Sequence, residues 1–274
     1  MTQKKADTFR IVLLETMRAC TRRCPFCAFG QKRPHPQLGQ VMPMALLQKI
    51  AAELRQLSFR GRISPYCINE PLLDERIVDI VRLFRSACPH AFISITSNGD
   101  LLNDRLHAEL EKAGLDRLAL SIYDDQVLVR LKNLISRPRI AIIDMRPGHG
   151  KLENRGGSIH GEGNRFHLKP GSVAHLPCRR PGNMIVVQPN GQVVLCCSDM
   201  YGEQVLGDAQ RQSLVEIWQS ERFVQIRQQL EHHRQGLLLC ESCTHNGSTS
   251  PRNFPRKLSI RDIVDWIGDV VRRF

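Results

Sequence analysis

Three cysteines near the start of the chain, Cys20, Cys24 and Cys27, stand in a C-x3-C-x2-C spacing inside the stretch Thr-Met-Arg-Ala-Cys-Thr-Arg-Arg-Cys-Pro-Phe-Cys-Ala-Phe-Gly. Three thiolates can hold three corners of an iron–sulfur cubane, and the iron left open can be chelated by an exogenous ligand. A structural zinc site is the competing use of such residues. It closes with four ligands, commonly as two C-x2-C pairs, and no fourth Cys or His lies at such a spacing here. A second set begins at Cys178, continues through twelve residues to Gly191 and four more to Cys196, and ends in Cys240-Glu-Ser-Cys243. Four thiolates close a site completely, as a fully ligated cluster or as a zinc ribbon.

Hydrophobic periodicity shows which elements must position these residues. An apolar run over 9–15 predicts a first β-strand ending at the cysteine loop. After Pro43-Met44, residues Leu46, Leu47, Ile50, Leu54 and Leu57 recur at helical spacing. Residues 62–68 read as a second strand, 71–85 as an amphipathic helix, and 91–96 as a third strand ending in Ser97-Asn98-Gly99-Asp100. Asn103 can cap a helix over 104–113 that Gly114 ends. Two further strands, over 117–122 and 139–144, flank a helical piece at 124–135. Strands alternating with helices predict an α/β fold, a parallel sheet curled into a partial (β/α) barrel that places ligands at the C-terminal ends of its strands. Downstream, Pro189-Asn190-Gly191 between strand-like runs at 184–188 and 192–196 predicts a β-hairpin, and 214–231 a helix; together they would gather the four later cysteines. The expected organisation is a barrel core over 1–150, an irregular glycine-rich segment over 151–177, a small cysteine domain over 178–245, and a linker with an amphipathic closing helix over 246–274.

At 274 residues and 42% hydrophobic, the chain can bury one large core, or a medium one with an appendage. Its first residues carry no apolar signal-peptide core, and no run approaches the ~18–20 apolar residues of a membrane span. A reducing cytoplasm is therefore expected, where ten cysteines read as metal-binding or catalytic rather than disulfide-forming. The formal charge of +12 would suit a nucleic-acid partner, but it is counted with neutral thiols, and Lys and Arg are spread along the chain. A basic surface is the simpler reading. Cys67 and Cys88 read as small buried hydrophobes, whereas Cys197, next to Cys196, is packing, a hydrogen-atom donor or an alternative ligand.

The first cysteine loop, set behind a strand, resembles the signature of the radical S-adenosylmethionine (SAM) enzymes. In that family the open iron takes the amino and carboxylate groups of SAM, and one electron from the cluster cleaves SAM to a 5'-deoxyadenosyl radical. The resemblance implies that Phe26 lies near the adenine and that Asn69-Glu70-Pro71 stands for the Gly-Glu-Pro motif holding the SAM amino group, with Asn69 replacing the usual glycine. It also implies that Ser97 and Asn98, and more weakly Ser121, contact the ribose or methionine part. Outside that context Glu70 would be a helix N-terminal charge and Asn98-Gly99 an ordinary turn. The Cys178, Cys196, Cys240 and Cys243 set resembles the twitch module, a shortened SPASM domain with one auxiliary cluster. The implied cofactors are two [4Fe-4S] clusters and SAM, with a one-electron reductant such as flavodoxin or ferredoxin.

Gly61-Arg62-Ile63-Ser64, Glu70-Pro71-Leu72-Leu73 and Asn154-Arg155-Gly156-Gly157 resemble the radical SAM dehydrogenases that oxidise an aminocyclitol in antibiotic biosynthesis. The resemblance puts Arg155 at the substrate as a candidate proton acceptor; because arginine stays protonated, stabilising a developing alkoxide suits it better. The expected activity is oxidation of a secondary alcohol of an aminocyclitol or sugar-like intermediate to a ketone, with the auxiliary cluster accepting an electron. Two other enzyme readings stay open: a redox-neutral epimerase with Cys197 as hydrogen donor, and a peptide maturase. The early first strand leaves no room for an N-terminal peptide-recognition domain. A zinc-stabilised nucleic-acid-binding protein would explain the charge and the cysteines, but not the motifs at the strand ends.

Overall fold

The computed structural model describes residues 8–32, 35, 37–146, 149, 152–159 and 172–248. Its frame is one sheet of eight strands: β1 (Ile11–Leu14), β2 (Arg62–Ser64), β3 (Phe92–Ser97), β4 (Arg117–Ile122), β5 (Ile140–Asp144), β6 (Met184–Val187), β7 (Gln192–Val194) and β8 (Val205–Asp208). The order is β5-β4-β3-β2-β1-β6-β7-β8. The pairs from β5 through β1 to β6 are parallel, and the last two are antiparallel. All four residues of β1 are buried, as its unbroken apolar run requires of a strand covered on both faces. The fold is thus α/β with a partial-barrel sheet, and the expected hairpin extends that sheet, since β6 pairs along the whole of β1. Gly191 turns the hairpin at φ 86°.

Helices α1 (Met44–Gln56), α2 (Ile77–Ala87), α3 (Asp104–Ala113) and α4 (Asp125–Arg130) connect the parallel strands. α1 buries Leu46, Leu47, Ile50 and Leu54 as its periodicity predicts, with Ala51 beside them, whereas Leu57, expected on the same face, caps the helix end and is exposed. After the hairpin come α5 (Leu214–Gln219), α6 (Glu221–Leu230) and the single turn α7 (Leu238–Glu241). Trp218 of α5 meets Phe9 and Phe223 edge-on at 5.6 and 5.1 Å, so the C-terminal helices share the core of the first strand.

Three elements differ from the expectation, each for a local reason. β2 stops at Ser64 because Pro65 has no N–H for the ladder. That leaves Cys67 in a loop, not on a strand. The helix expected over 71–85 divides into a 3-10 turn, Pro71–Leu73, and α2, with the Asp74 carboxylate between them accepting from Arg76. The helix expected over 214–231 breaks at Ser220, whose hydroxyl accepts from the Phe223 N–H and caps α6; Ser213 and Glu216 form a capping box on α5. The closing helix expected over 258–274 lies outside the described residues, as do residues 160–171 of the glycine-rich segment. Among the described residues no helix is long and apolar enough to cross a membrane.

Candidate active site

The C-terminal ends of the parallel strands and the loop after β1 enclose a cavity of about 400 Å³, lined among others by Cys20, Cys24, Cys27, Glu70, Asn98 and Arg155. The cysteine loop is fastened to neighbouring strand ends. Arg22 pairs with Asp100 (Nη2–Oδ1 2.5 Å) beyond β3 and with Asp124 (Nη1–Oδ2 2.8 Å) beyond β4. Asn98 Nδ2 donates to Thr21 Oγ1 at 2.9 Å. Phe26 stacks on Tyr123 with ring centres 5.7 Å apart. Burial pushes the Cys24 thiol up to about 11, helped by the other two cysteines, and raises Cys20 and Cys27 as well. Loading a metal group must therefore expel protons from these sulfurs.

Glu70 is the knot of the strand-end motifs. Its Oε1 accepts from Leu72 N at 3.0 Å and Ser97 Oγ at 2.7 Å, and its Oε2 from Asn98 N at 2.8 Å. A carboxylate offers about four acceptor positions, so one remains for a ligand amine. Asn69 has an ordinary negative φ, and its replacement of glycine therefore brings no strain. Its Oδ1 accepts from Cys67 N at 3.0 Å, while its Nδ2 is buried with no partner and Asn69 lines the cavity. An orphan buried donor costs about 1–3 kcal/mol unless a bound acceptor satisfies it. Ser97, Asn98, Ser121 and Phe26 line the same cavity, so it brings together all the sequence-predicted cofactor residues. That donor set fits SAM beside a three-cysteine cluster.

Arg155 reaches the cavity from an unusual backbone. It has a left-handed φ of 48°, followed by Gly156 at 63° and Gly157 at 88°. A side chain at Gly156 would meet Leu239 Cδ1 at 2.3 Å, and one at Gly157 the Ser242 hydroxyl at 2.7 Å. Asn154 completes the dock: its Nδ2 donates to Ser242 O at 2.6 Å, and its Oδ1 accepts from Thr244 N at 2.9 Å. The Asn-Arg-Gly-Gly turn is therefore clamped to the segment carrying Cys240 and Cys243. Left-handed strain in a non-glycine residue costs of order 1–3 kcal/mol and persists only where the surroundings impose it.

Glu153, Arg180, Tyr123, Tyr66, Cys67 and His245 are further residues of this region that motif reading missed. Glu153 Oε1 pairs with Arg155 Nη1 at 2.8 Å and Glu153 Oε2 with Arg180 Nη1 at 2.6 Å. Burial works against the Glu153 charge, yet Arg180 and Arg155 outweigh it and hold the carboxyl far below the usual range. Burial likewise opposes the charge on Arg155, and Glu153 keeps it firmly protonated. Arg155 is thus a fixed cation in the cavity, not a base. The only forward signal for Glu153 was its place beside Asn154; nothing local marked Arg180.

A second, small cavity is lined by Cys178, Cys196, Cys240 and Cys243 together with Arg180, Ser198 and Arg234. The four later cysteines thus face one space. Among the described residues no three His, Cys, Asp or Glu side chains stand close enough to share a single metal ion; cysteines that each hold a different iron of a cubane stand farther apart. Arg234 donates to Pro177 O and His245 O, both at 2.9 Å, and so ties the chain before Cys178 to the chain after Cys243. Cys197 belongs to the first cavity, with its sulfur accepting from Arg180 Nη2 at 3.0 Å. Cys88 is buried at the end of α2, as expected.

Comparison with known proteins agrees with this arrangement. The radical SAM superfamily pattern matches residues 14–135, and the SPASM pattern, an iron–sulfur cluster-binding domain, matches 178–244. The SAM-dependent 2-deoxy-scyllo-inosamine dehydrogenase of Niallia circulans is 26% identical over 249 residues, 86% of this chain and 93% of that protein. The GTP 3',8-cyclase of Limosilactobacillus fermentum is 33% identical over 104 residues, but these are 38% of this chain and 30% of the cyclase. The crystal structure of BtrN with AdoMet and 2-DOIA shares the fold, with a TM-score of 0.77 and 24% identity over 92% of this chain and 99% of that one. Native anSMEcpe with bound AdoMet follows with a TM-score of 0.59 and 12% identity, covering 97% of this chain and 99% of its own. With both patterns present in order and the cysteines of each gathered at a cavity, the chain carries a radical SAM domain followed by an SPASM-type iron–sulfur domain, and it is an enzyme that uses SAM and iron–sulfur clusters.

Proposed function

We propose that this enzyme oxidises a secondary alcohol of an aminocyclitol or sugar-like small molecule to a ketone. The observation that carries the reading is the shared cavity, in which the first cysteine loop, the strand-end polar residues and Arg155 meet one residue away from the four-cysteine cavity, at Cys197 beside Cys196. The dehydrogenase activity named for the Niallia circulans relative supports it. Bound SAM and its cluster supply a radical that removes hydrogen from carbon, and the auxiliary cluster supplies an electron acceptor. Carbinol oxidation also requires a proton to leave oxygen. Arg155, held charged by Glu153, suits the stabilisation of that oxygen as its negative charge develops.

In this reading Cys20, Cys24 and Cys27 hold the first cluster, and Cys178, Cys196, Cys240 and Cys243 the second. Asn69, Glu70, Ser97, Asn98, Ser121 and Phe26 bind SAM. Leu13, Ile143, Leu152 and Met184 give the cavity an apolar part that excludes water from the reacting centre. All ten cysteines are unpaired, which fits the reducing cytoplasm where a flavodoxin or ferredoxin would supply electrons. Cys197 also lines the cavity, so hydrogen return from a thiol, giving an epimer, is the second reading.

Anaerobic protein reconstituted with iron and sulfide, given SAM and dithionite, tests the substrate class. Selected aminocyclitols or related polyols should accelerate 5'-deoxyadenosine formation roughly tenfold or more over the substrate-free rate, the expected result of completing the reacting geometry. Acceleration by peptides and by none of the hydroxylated compounds would overturn the reading.

A further inference from the structure

Two guanidinium groups border the four-cysteine cavity, Arg234 fully buried and Arg180 half-buried. Arg234 is 1% exposed and donates hydrogen bonds to the backbone carbonyls of Pro177, Cys243 and His245. Its Nε has no partner, and no carboxylate pairs with it among the described residues. A buried cation without an acid is costly, so a cavity placing one beside four thiols is suited to an anionic occupant. Arg180 is the second cation and is held from three sides. It donates to Cys197 Sγ at 3.0 Å, to Ser198 Oγ at 3.1 Å and to Glu153 Oε2 at 2.6 Å. Ser198 joins this network to a ligand sulfur: its hydroxyl donates to Glu153 Oε2 at 3.0 Å, and its backbone N–H to Cys196 Sγ at 3.4 Å.

We propose that Arg180 is a positioning residue that raises the reduction potential of the cluster held by Cys178, Cys196, Cys240 and Cys243, and that Glu153 limits the rise by compensating its charge. The inference rests on reading those four cysteines as cluster ligands. Reduction makes a thiolate-ligated cluster more negative, so a fixed cation in a water-poor cavity stabilises the reduced form more than the oxidised one. Hydrogen bonds given near the ligand sulfurs act in the same direction. A cluster that accepts an electron from substrate gains driving force from both. Arg155 belongs to the network through the other oxygen of Glu153, which places the potential-setting group and the substrate-side cation on one carboxylate.

The test uses the full chain with Cys20, Cys24 and Cys27 replaced by alanine, so that the auxiliary cluster is the one titrated, followed by electron paramagnetic resonance against applied potential. Arg180→Gln should shift the oxidised-to-reduced ratio at fixed potential at least tenfold toward oxidised, ~59 mV for a one-electron couple. Arg180→Lys should keep most of the parent value, and Glu153→Gln should shift the ratio the other way. General loosening of the fold would not give opposite signs. An unchanged potential in Arg180→Gln, or shifts of the same sign in Arg180→Gln and Glu153→Gln, overturns the proposal. If Arg180→Gln fails to bind iron, Glu153→Gln decides: a raised potential supports the proposal, and a lowered or constant one refutes it. A parent protein that takes up zinc in place of iron overturns the cluster reading and the inference with it, whereas bound iron with an invariant potential overturns the inference alone.

Discussion

Replacing Cys20, Cys24 and Cys27 together by alanine abolishes 5'-deoxyadenosine formation, while bound iron falls from about eight to about four per chain. The three sulfurs line the cavity that also holds Glu70, Ser97 and Asn98. The loop carrying them does not depend on the sulfurs for its position, because Arg22 fastens it to Asp100 and Asp124, and Asn98 to Thr21. The variant should therefore fold and keep its auxiliary iron. Iron analysis and chromatography of SAM products check both halves. Cleavage retained by the variant would move SAM chemistry elsewhere in the molecule, and complete loss of iron would show that the two cysteine sets do not load independently.

Glu153→Ala should lower stability by about 1–3 kcal/mol, less than the ~3–5 kcal/mol of a fully buried ion pair because Glu153 and Arg180 keep 11% and 13% exposure and Arg155 29%. Among the described residues Glu153 is the carboxylate that Arg155 and Arg180 share, and it also takes the Ser198 hydroxyl. A solvent-exposed pair would lose about 1 kcal/mol or less, so the urea midpoint distinguishes a closed network from a wet one. The pH dependence has a definite sign. The folded carboxyl lies below its usual range, so its stabilisation is present above the ordinary carboxylate pKa and is lost as pH falls below it. The difference between wild type and Glu153→Ala should stay constant from neutral pH to the edge of that range and shrink in stronger acid.

Much of this site could be read from sequence, because its chemistry is local. C-x3-C-x2-C, Glu70-Pro71 and Ser97-Asn98 each follow a strand whose apolar run marks it, and Pro189-Asn190-Gly191 turns the hairpin that periodicity predicts. What escaped depends on contacts between distant parts of the chain. Glu153 and Arg180 look like solvated charges until the fold brings them together across 27 positions. The two glycines of Asn-Arg-Gly-Gly become explicable only once Leu239 and Ser242 are seen against their α-carbons. Cys67 was misplaced because Pro65 ends β2 early, moving the thiol from a strand to the cavity wall. The break at Ser220 was a competition between helix continuation and hydroxyl capping that apolar spacing does not register.

Turnover in deuterated water, with SAM, a reductant and the aminocyclitol or polyol that best stimulates SAM cleavage, decides between alcohol oxidation and hydrogen return. Alcohol oxidation gives a product two mass units lighter than its substrate, one 5'-deoxyadenosine per product, and no solvent deuterium on the oxidised carbon. A product one unit heavier at unchanged oxidation level would contradict it, making the enzyme an epimerase and moving attention from Arg155 to Cys197.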